Sequence, residues 1–323
     1  MTGILLIQLG TPDAPTASAL KPYLRQFLSD PRVIENQGWR WKIILNAFIL
    51  RQRPAESAAK YARIWDAKTG SPLLHYTTRQ TQLLKEQFPE NPVRFGMMVG
   101  NPPVRKTVSE MIASGVDKLI VLPMFPQYSA TTTASATDAL FNALMKERRV
   151  PAVRVVPPYH DHSAYLDAVE AVIRDDLAKL PWVPEHFVIS FHGLPQSYVQ
   201  KGDPYPTHVE RTTQGLVKRM GWPAERWTQT YQSRFGKSEW LKPYTDDVLT
   251  ELAKKGVKRV YVALPGFTVD CLETLDEIGN ESREVFTHAG GEQLKSGTCL
   301  NDHPKWIEGM ARIIRDEATG WLR

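Results

Sequence analysis

One histidine and a ladder of three glutamates are the residues of this chain best suited to chemistry. His192 ends the apolar run Phe187–Phe191 and stands directly before the turn Gly193-Leu194-Pro195. Glu273, Glu277 and Glu281 lie in the stretch Asp270–Glu281, beyond a second apolar run that ends in Leu264-Pro265-Gly266-Phe267. Spaced at i, i+4 and i+8, they are expected on one face of a helix, successive carboxylates roughly 6 Å apart. Acidic side chains are favourable near a helix N-terminus, so a solvated acidic face competes with a functional ladder. A neutral imidazole beside a carboxylate can bind a divalent cation. The same pair can accept protons near neutral pH.

The elements that must hold these groups follow from the alternation of short apolar runs with longer helical patterns, the mark of parallel βαβ units. Strands are expected over Ile4–Leu9, Val93–Met98, Lys118–Leu122, Arg154–Val156, Phe187–Phe191, Arg226–Gln232 and Arg259–Leu264. Two elements occur twice. Ile4–Leu9 before Gly10-Thr11-Pro12 matches Phe187–His192 before Gly193-Leu194-Pro195, so Leu9 stands where the second copy has His192. Gly115–Phe125 likewise resembles Gly256–Phe267, a helix-ending glycine followed by a buried strand and a Leu-Pro turn. Two related domains are therefore expected, 1–156 and 157–323, with the final helix free to pack back on the first. In such sheets ligands bind beyond the C-terminal ends of the strands, where His192 and the glutamates fall.

Composition narrows the classes. The 323 residues suffice for two α/β domains, and 42% hydrophobic with 23% charged residues is the balance of a globular protein. The net charge of +5 comes from scattered Lys and Arg, so no nucleic-acid partner is expected; an anionic metabolite or membrane surface suits it better. Two cysteines, Cys271 and Cys299, furnish neither a disulfide framework nor four thiolates for a cluster, which fits a reducing cytoplasm. Cys271 itself reads as a small buried hydrophobe. No GxGxxG or Walker loop supports dinucleotide or nucleotide binding.

Two further segments carry a signal. Phe125-Pro126-Gln127-Tyr128-Ser129-Ala130-Thr131-Thr132-Thr133 places a run of hydroxyls before a helix, where carboxylates can bind. Asn36–Arg53 mixes Trp39, Trp41, Ile43, Ile44, Phe48 and Ile49 with Arg40, Lys42, Arg51 and Arg53. That pattern suits a flap over an apolar pocket, a membrane-surface contact or a core helix. His160 and His162 read as surface residues of a loop.

At this point the chain resembles the ferrochelatases, enzymes that insert ferrous iron into a porphyrin in haem synthesis. The motifs Leu9–Glu35, Gly70–Leu73, Phe125–Ser135, Ser190–Pro195, Lys201–Pro206, Tyr231–Asp247 and Pro265–Ile278 look like family signatures in the family's order, nearest to its proteobacterial branch. The resemblance implies two Rossmann-like domains, each with a parallel four-stranded sheet flanked by helices, and an active-site cleft between them. It implies protoporphyrin IX and Fe²⁺ as substrates and His192 and Glu273 as metal-binding, catalytic residues. Glu277 and Glu281 become a relay for protons or metal. Leu9, Tyr128, Ser129, Thr131 and Phe267 become porphyrin contacts, and Trp39–Leu50 a hydrophobic lip able to rest on the inner membrane.

There are departures. Many members have Arg-Tyr before the Gly-Asn-Pro turn, where this chain has Met98-Val99; some have Tyr or Met at Leu9, or His at Cys271. No iron–sulfur cluster is expected and no resident cofactor, iron being a substrate. Competing expectations are a chelatase for another tetrapyrrole such as coproporphyrin, or a porphyrin or haem carrier without turnover. The residues do not indicate an oligomeric state.

Overall fold

The computed structural model describes every residue except Lys237 and Arg323. By contact the chain forms two compact units, Met1–Pro158 together with the C-terminal stretch from Met310, and Tyr159–Gly309.

The first unit is built on β1 (Thr2–Thr11), β2 (Val93–Gly100), β3 (Lys118–Pro123) and β4 (Ala152–Val155), all parallel, in the order β2-β1-β3-β4. The second repeats it with β5 (His186–His192), β6 (Trp227–Gln232), β7 (Arg259–Ala263) and β8 (Gln293–Ser296) in the order β6-β5-β7-β8. Both are Rossmann-like four-stranded sheets flanked by helices. In each, the chain steps to one side of its first strand and then to the other, which opens a crevice at the C-terminal ends of β1 and β3, and of β5 and β7.

The sequence explains these strands. Ile4, Leu5, Leu6 and Ile7 are all fully buried, as a strand covered on both faces requires; each contributes about 1.5–3 kcal/mol. One face of the first sheet packs Leu5, Ile7, Leu119 and Val121 against Val108 and Met111 of the helix Val104–Ala113 and Leu140 of the helix Ser135–Leu144. The second sheet does the same with Val188, Val260 and Val262 against Leu249, Ile278 and Phe286.

The duplicated glycines perform the same task in both units. Gly115 (φ +97°) and Gly256 (φ +92°) adopt the left-handed conformation that ends a helix. The next amide reaches back to the helix in each case, Val116 N–H to Met111 O (3.1 Å) and Val257 N–H to Leu252 O (3.0 Å).

Three differences from the sequence reading concern helices and an edge. Among the described residues, Ile44–Ile49, Ala130–Ala134 and Glu273–Ser282 wind as π-helix, wider than the α-helix that the glutamate spacing predicts. A helix over Leu50–Ile64, which the helical patterning does not predict, follows the aromatic segment, and β8 supplies the fourth strand that the resemblance implies but the strand pattern does not place.

Candidate active site

In the second unit, His192 is the last residue of β5, beside the crevice at β7, and its side chain is exposed. Its Nδ1 lies 2.7 Å from the carbonyl of Gly193. A carbonyl only accepts, so Nδ1 carries a proton, and in the neutral ring Nε2 keeps its lone pair, the tautomer that a metal ligand or general base needs. The buried Tyr205 hydroxyl donates to the backbone carbonyl of His192 at 2.9 Å. Gly193 is required by close approach, because a Cβ there would come 2.8 Å from the carbonyl of Gln232 and 3.1 Å from the ring of Trp240.

Beyond β7 the chain turns at Leu264–Phe267 and enters the π-helix that begins at Glu273. More than four residues fill each of its turns, so Glu273, Glu277 and Glu281 still succeed one another along one face. All three are half-buried. Their positions are not set by the helix alone. Gln232, buried at the end of β6 and paired in register with His192, donates from Nε2 to the backbone carbonyl of Glu273 at 2.9 Å. Its Oε1 accepts from Ser190 Oγ at 2.8 Å, and Ser190 in turn lies 2.9 Å from the Thr245 hydroxyl. Ser233 donates from both its backbone N–H and its hydroxyl to the two carboxylate oxygens of Glu277, each at 2.6 Å.

Burial pushes the Glu277 carboxyl above its usual range, while the Ser233 hydroxyl and, when protonated, His192 oppose the rise and Glu273 adds to it. His192, Glu273 and Glu277 therefore share one electrostatic neighbourhood. Among the described residues no three His, Cys, Asp or Glu side chains converge into a closed metal cage. Cys271 is buried, and desolvation with the neighbouring Glu273 charge raises its thiol pKa, as a small core residue requires. Phe267 is half-buried against the core of the second unit.

In the first unit, the corresponding strand end is aliphatic and hydroxylic. Leu9 is half-buried and its N–H donates to Gln8 Oε1 at 2.9 Å. Gly10 follows at φ +112°, where a Cβ would sit 1.8 Å from the carbonyl of Val99. Buried Ser71 donates to Thr11 at 2.8 Å, tying the Gly70–Leu73 motif to this end. Beyond β3, Tyr128 and Thr131 are half-buried and Ser129 is buried. Ser129 caps the π-helix, accepting from the Thr131 N–H (3.2 Å) with its Oγ 3.0 Å from the Thr131 hydroxyl, so much of this hydroxyl run is engaged internally. At Met98, Gln26 grips the backbone, donating to the Met98 carbonyl (2.9 Å) and accepting from the Gly100 N–H (3.1 Å).

The aromatic segment keeps Trp39, Ile43, Ile44 and Phe48 exposed, the first at 69% and the last at 59%, while Leu45 and Leu50 root it against Leu28. No helix among the described residues is long and apolar enough to cross a membrane. His160 is buried, stacked on His208 with ring centroids 3.8 Å apart, and not on the surface as the loop sequence suggests. Gln232, Ser233 and Tyr205 are the residues that sequence reasoning left without a role. Gln232 closes an expected strand and Ser233 follows it, but neither is titratable, so residue type gave no signal at either position.

The family model for ferrochelatase matches residues 1–318. Curated ferrochelatases of Bradyrhizobium diazoefficiens and Mesorhizobium japonicum are each 45% identical over 99% of the chain, which spans 94% and 92% of their lengths. One from Rhodopseudomonas palustris BisA53 is 46% identical, over 99% of this chain and 94% of its own. Among solved structures, CbiX, the terminal enzyme for biosynthesis of siroheme in denitrifying bacteria, aligns over 97% of this chain and 98% of its own, with a TM-score of 0.52 at 15% identity. SirB from Bacillus subtilis with Fe³⁺ aligns over 79% of this chain and 95% of its own, with a TM-score of 0.55 at 14% identity. At these identities the structures attest the fold.

Proposed function

The chain belongs to the ferrochelatase family, and from that premise we propose that it inserts iron through the strand end of its second unit, with His192 and Glu273 meeting the metal. The protein is a lyase that takes Fe²⁺ and protoporphyrin IX to protohaem. The chemistry asks for two things, removal of two pyrrole protons and delivery of one partly dehydrated Fe²⁺. One observation carries the assignment: the Nδ1 contact to Gly193 leaves the His192 Nε2 lone pair exposed, so the ring can take a pyrrole proton or bind iron without rearrangement.

Glu273, at the mouth of the π-helix, shares the metal, and Glu277 and Glu281 pass protons or hydrated iron along the same face. A carboxyl whose pKa is raised by burial exchanges protons nearer neutrality than an exposed one, which suits Glu277 to a relay. Leu9, Tyr128, Ser129, Thr131 and Phe267 contact the macrocycle, whose planar apolar body calls for aliphatic and aromatic walls with polar groups at the edges. Iron passes through as substrate; two buried cysteines offer no ligand set for a cluster.

The exposed Trp39, Ile43, Ile44 and Phe48, flanked by Arg40, Lys42, Arg51 and Arg53, support a peripheral resting place on the anionic inner membrane with the protein in the cytoplasm. Anaerobic protein mixed with Fe²⁺ and protoporphyrin IX is expected to quench porphyrin fluorescence with turnover. Tight porphyrin binding without metalation would contradict the enzyme, and preference for coproporphyrin in competition would contradict the substrate.

A further inference from the structure

We propose that Ser233 is a positioning residue for iron insertion, a two-point clamp that holds the Glu277 carboxylate beside His192. Its backbone is one of two non-glycine positions at positive φ among the described residues, at +65°. The left-handed conformation is unfavourable for a residue with a Cβ, and persists where surrounding contacts hold it. Here the holding contacts are the clamp itself: Ser233 N–H to Glu277 Oε1 and Ser233 Oγ to Oε2, both at 2.6 Å. An extended backbone at 233 would not aim the two donors at one carboxylate.

The turn is pinned on both sides. Before it, Gln232 is fixed by Ser190 and by its bond to the Glu273 carbonyl, and its own carbonyl accepts from the Gly193 N–H at 2.7 Å. After it, the Arg234 guanidinium lies 4.5 Å over the ring of Tyr244. The orientation of Glu277 is thus set from the end of β6, the strand paired with His192, and not by the π-helix that carries it. Charge-assisted bonds to both oxygens are strong and directional, and they stop the carboxylate from rotating between turnovers.

The clamp rests on the relay reading of Glu277, and the test separates the two. Ser233→Gly is the chosen variant because glycine accepts the left-handed backbone, keeps the N–H donor and removes only the hydroxyl. It is compared with Glu277→Gln and with the double variant in single-turnover and steady-state metalation of protoporphyrin IX. Expected are a fall of about tenfold in kcat for Ser233→Gly with KM for porphyrin unchanged, and no further loss when it is added to Glu277→Gln. Wild-type kcat in Ser233→Gly, or the same tenfold loss in both backgrounds, overturns the clamp while leaving the relay intact. Wild-type kcat in Glu277→Gln overturns the relay and the clamp together.

Discussion

The strand ends at Leu9 and His192 are built alike and furnished differently. His192 closes the first strand of its four-stranded parallel sheet, and Leu9 stands two residues before the close of the first strand in a sheet of the same order. Each is followed by a glycine pressed on a neighbouring carbonyl, Val99 for Gly10 and Gln232 for Gly193. Around Leu9 the polar groups are spent on one another, Ser71 on Thr11 and Ser129 on Thr131. Around His192 stand an exposed imidazole, the half-buried Glu273 and a Glu277 carboxylate held by Ser233. One scaffold thus carries an aliphatic end in the first unit and a titratable one in the second, and the difference lies in the side chains set on it, not in the strand order.

The comparison breaks most visibly when the ends are exchanged. His192→Leu, which copies the first end into the second, is expected to lower kcat by about 10²–10⁴-fold in the fluorescence assay, the usual worth of a positioned acid–base group. Leu9→His, at a residue placed against the macrocycle and not the metal, is expected to act on KM for porphyrin and to lower kcat far less than His192→Leu. Comparable losses in both would mean that the units divide the chemistry between them. Next in size are the carboxylates. Glu273→Gln and Glu277→Gln should each cost about 10- to 100-fold in kcat, the scale of losing a metal-site partner, with porphyrin affinity retained in a binding titration.

The glycines sharpen the contrast in another currency. Gly10→Ala places a Cβ 1.8 Å from a backbone carbonyl at positive φ, and should destabilise the first unit by about 1–3 kcal/mol in urea melts. Gly193→Ala meets the Gln232 carbonyl at 2.8 Å and should act more on kcat than on stability, because the turn that moves carries the acceptor for His192 Nδ1.

The smallest effect is a pH dependence confined to the second unit. Burial, with the charge of neighbouring His208, pushes the His160 pKa down from 6.5 to about 4, against the pull of Asp161. A depressed folded-state pKa means that the unfolded chain binds the proton first. The contribution of neutral His160 is therefore complete above pH 6.5 and is lost as pH falls from 6.5 toward about 4. The melting temperature should fall across that window, and His160→Gln should flatten it; an unchanged slope would remove His160 from the cause.

The units' sheets were legible because β1, β3, β5 and β7 are mostly apolar runs, interrupted at Gln8 and Ser190, that lead into Gly or Pro. β8 was not, since this edge strand buries only Leu294 and its sequence Gln-Leu-Lys-Ser lacks β-branched residues. The helix Leu50–Ile64 was hidden by Pro54, which reads as a breaker, and by a buried face limited to Leu50, Pro54, Ala58 and Tyr61. His192 and the glutamates stood out by type and spacing. The π-helix beneath them did not, because a spacing of four suits α- and π-windings equally. Gln232 and Ser233 are polar residues whose work depends on a carboxylate 44 or 45 positions away in the chain, a relation that no local pattern displays.

The central claim is that iron meets the protein at the second unit's strand end. Anaerobic equilibrium dialysis of Fe²⁺ against the wild-type chain, Leu9→Ala and His192→Leu tests it directly. Leu9→Ala should bind iron like the wild type, and His192→Leu should lose at least about tenfold in affinity. Unchanged iron binding in His192→Leu, with loss in Leu9→Ala, would assign the metal to the first unit and contradict the account.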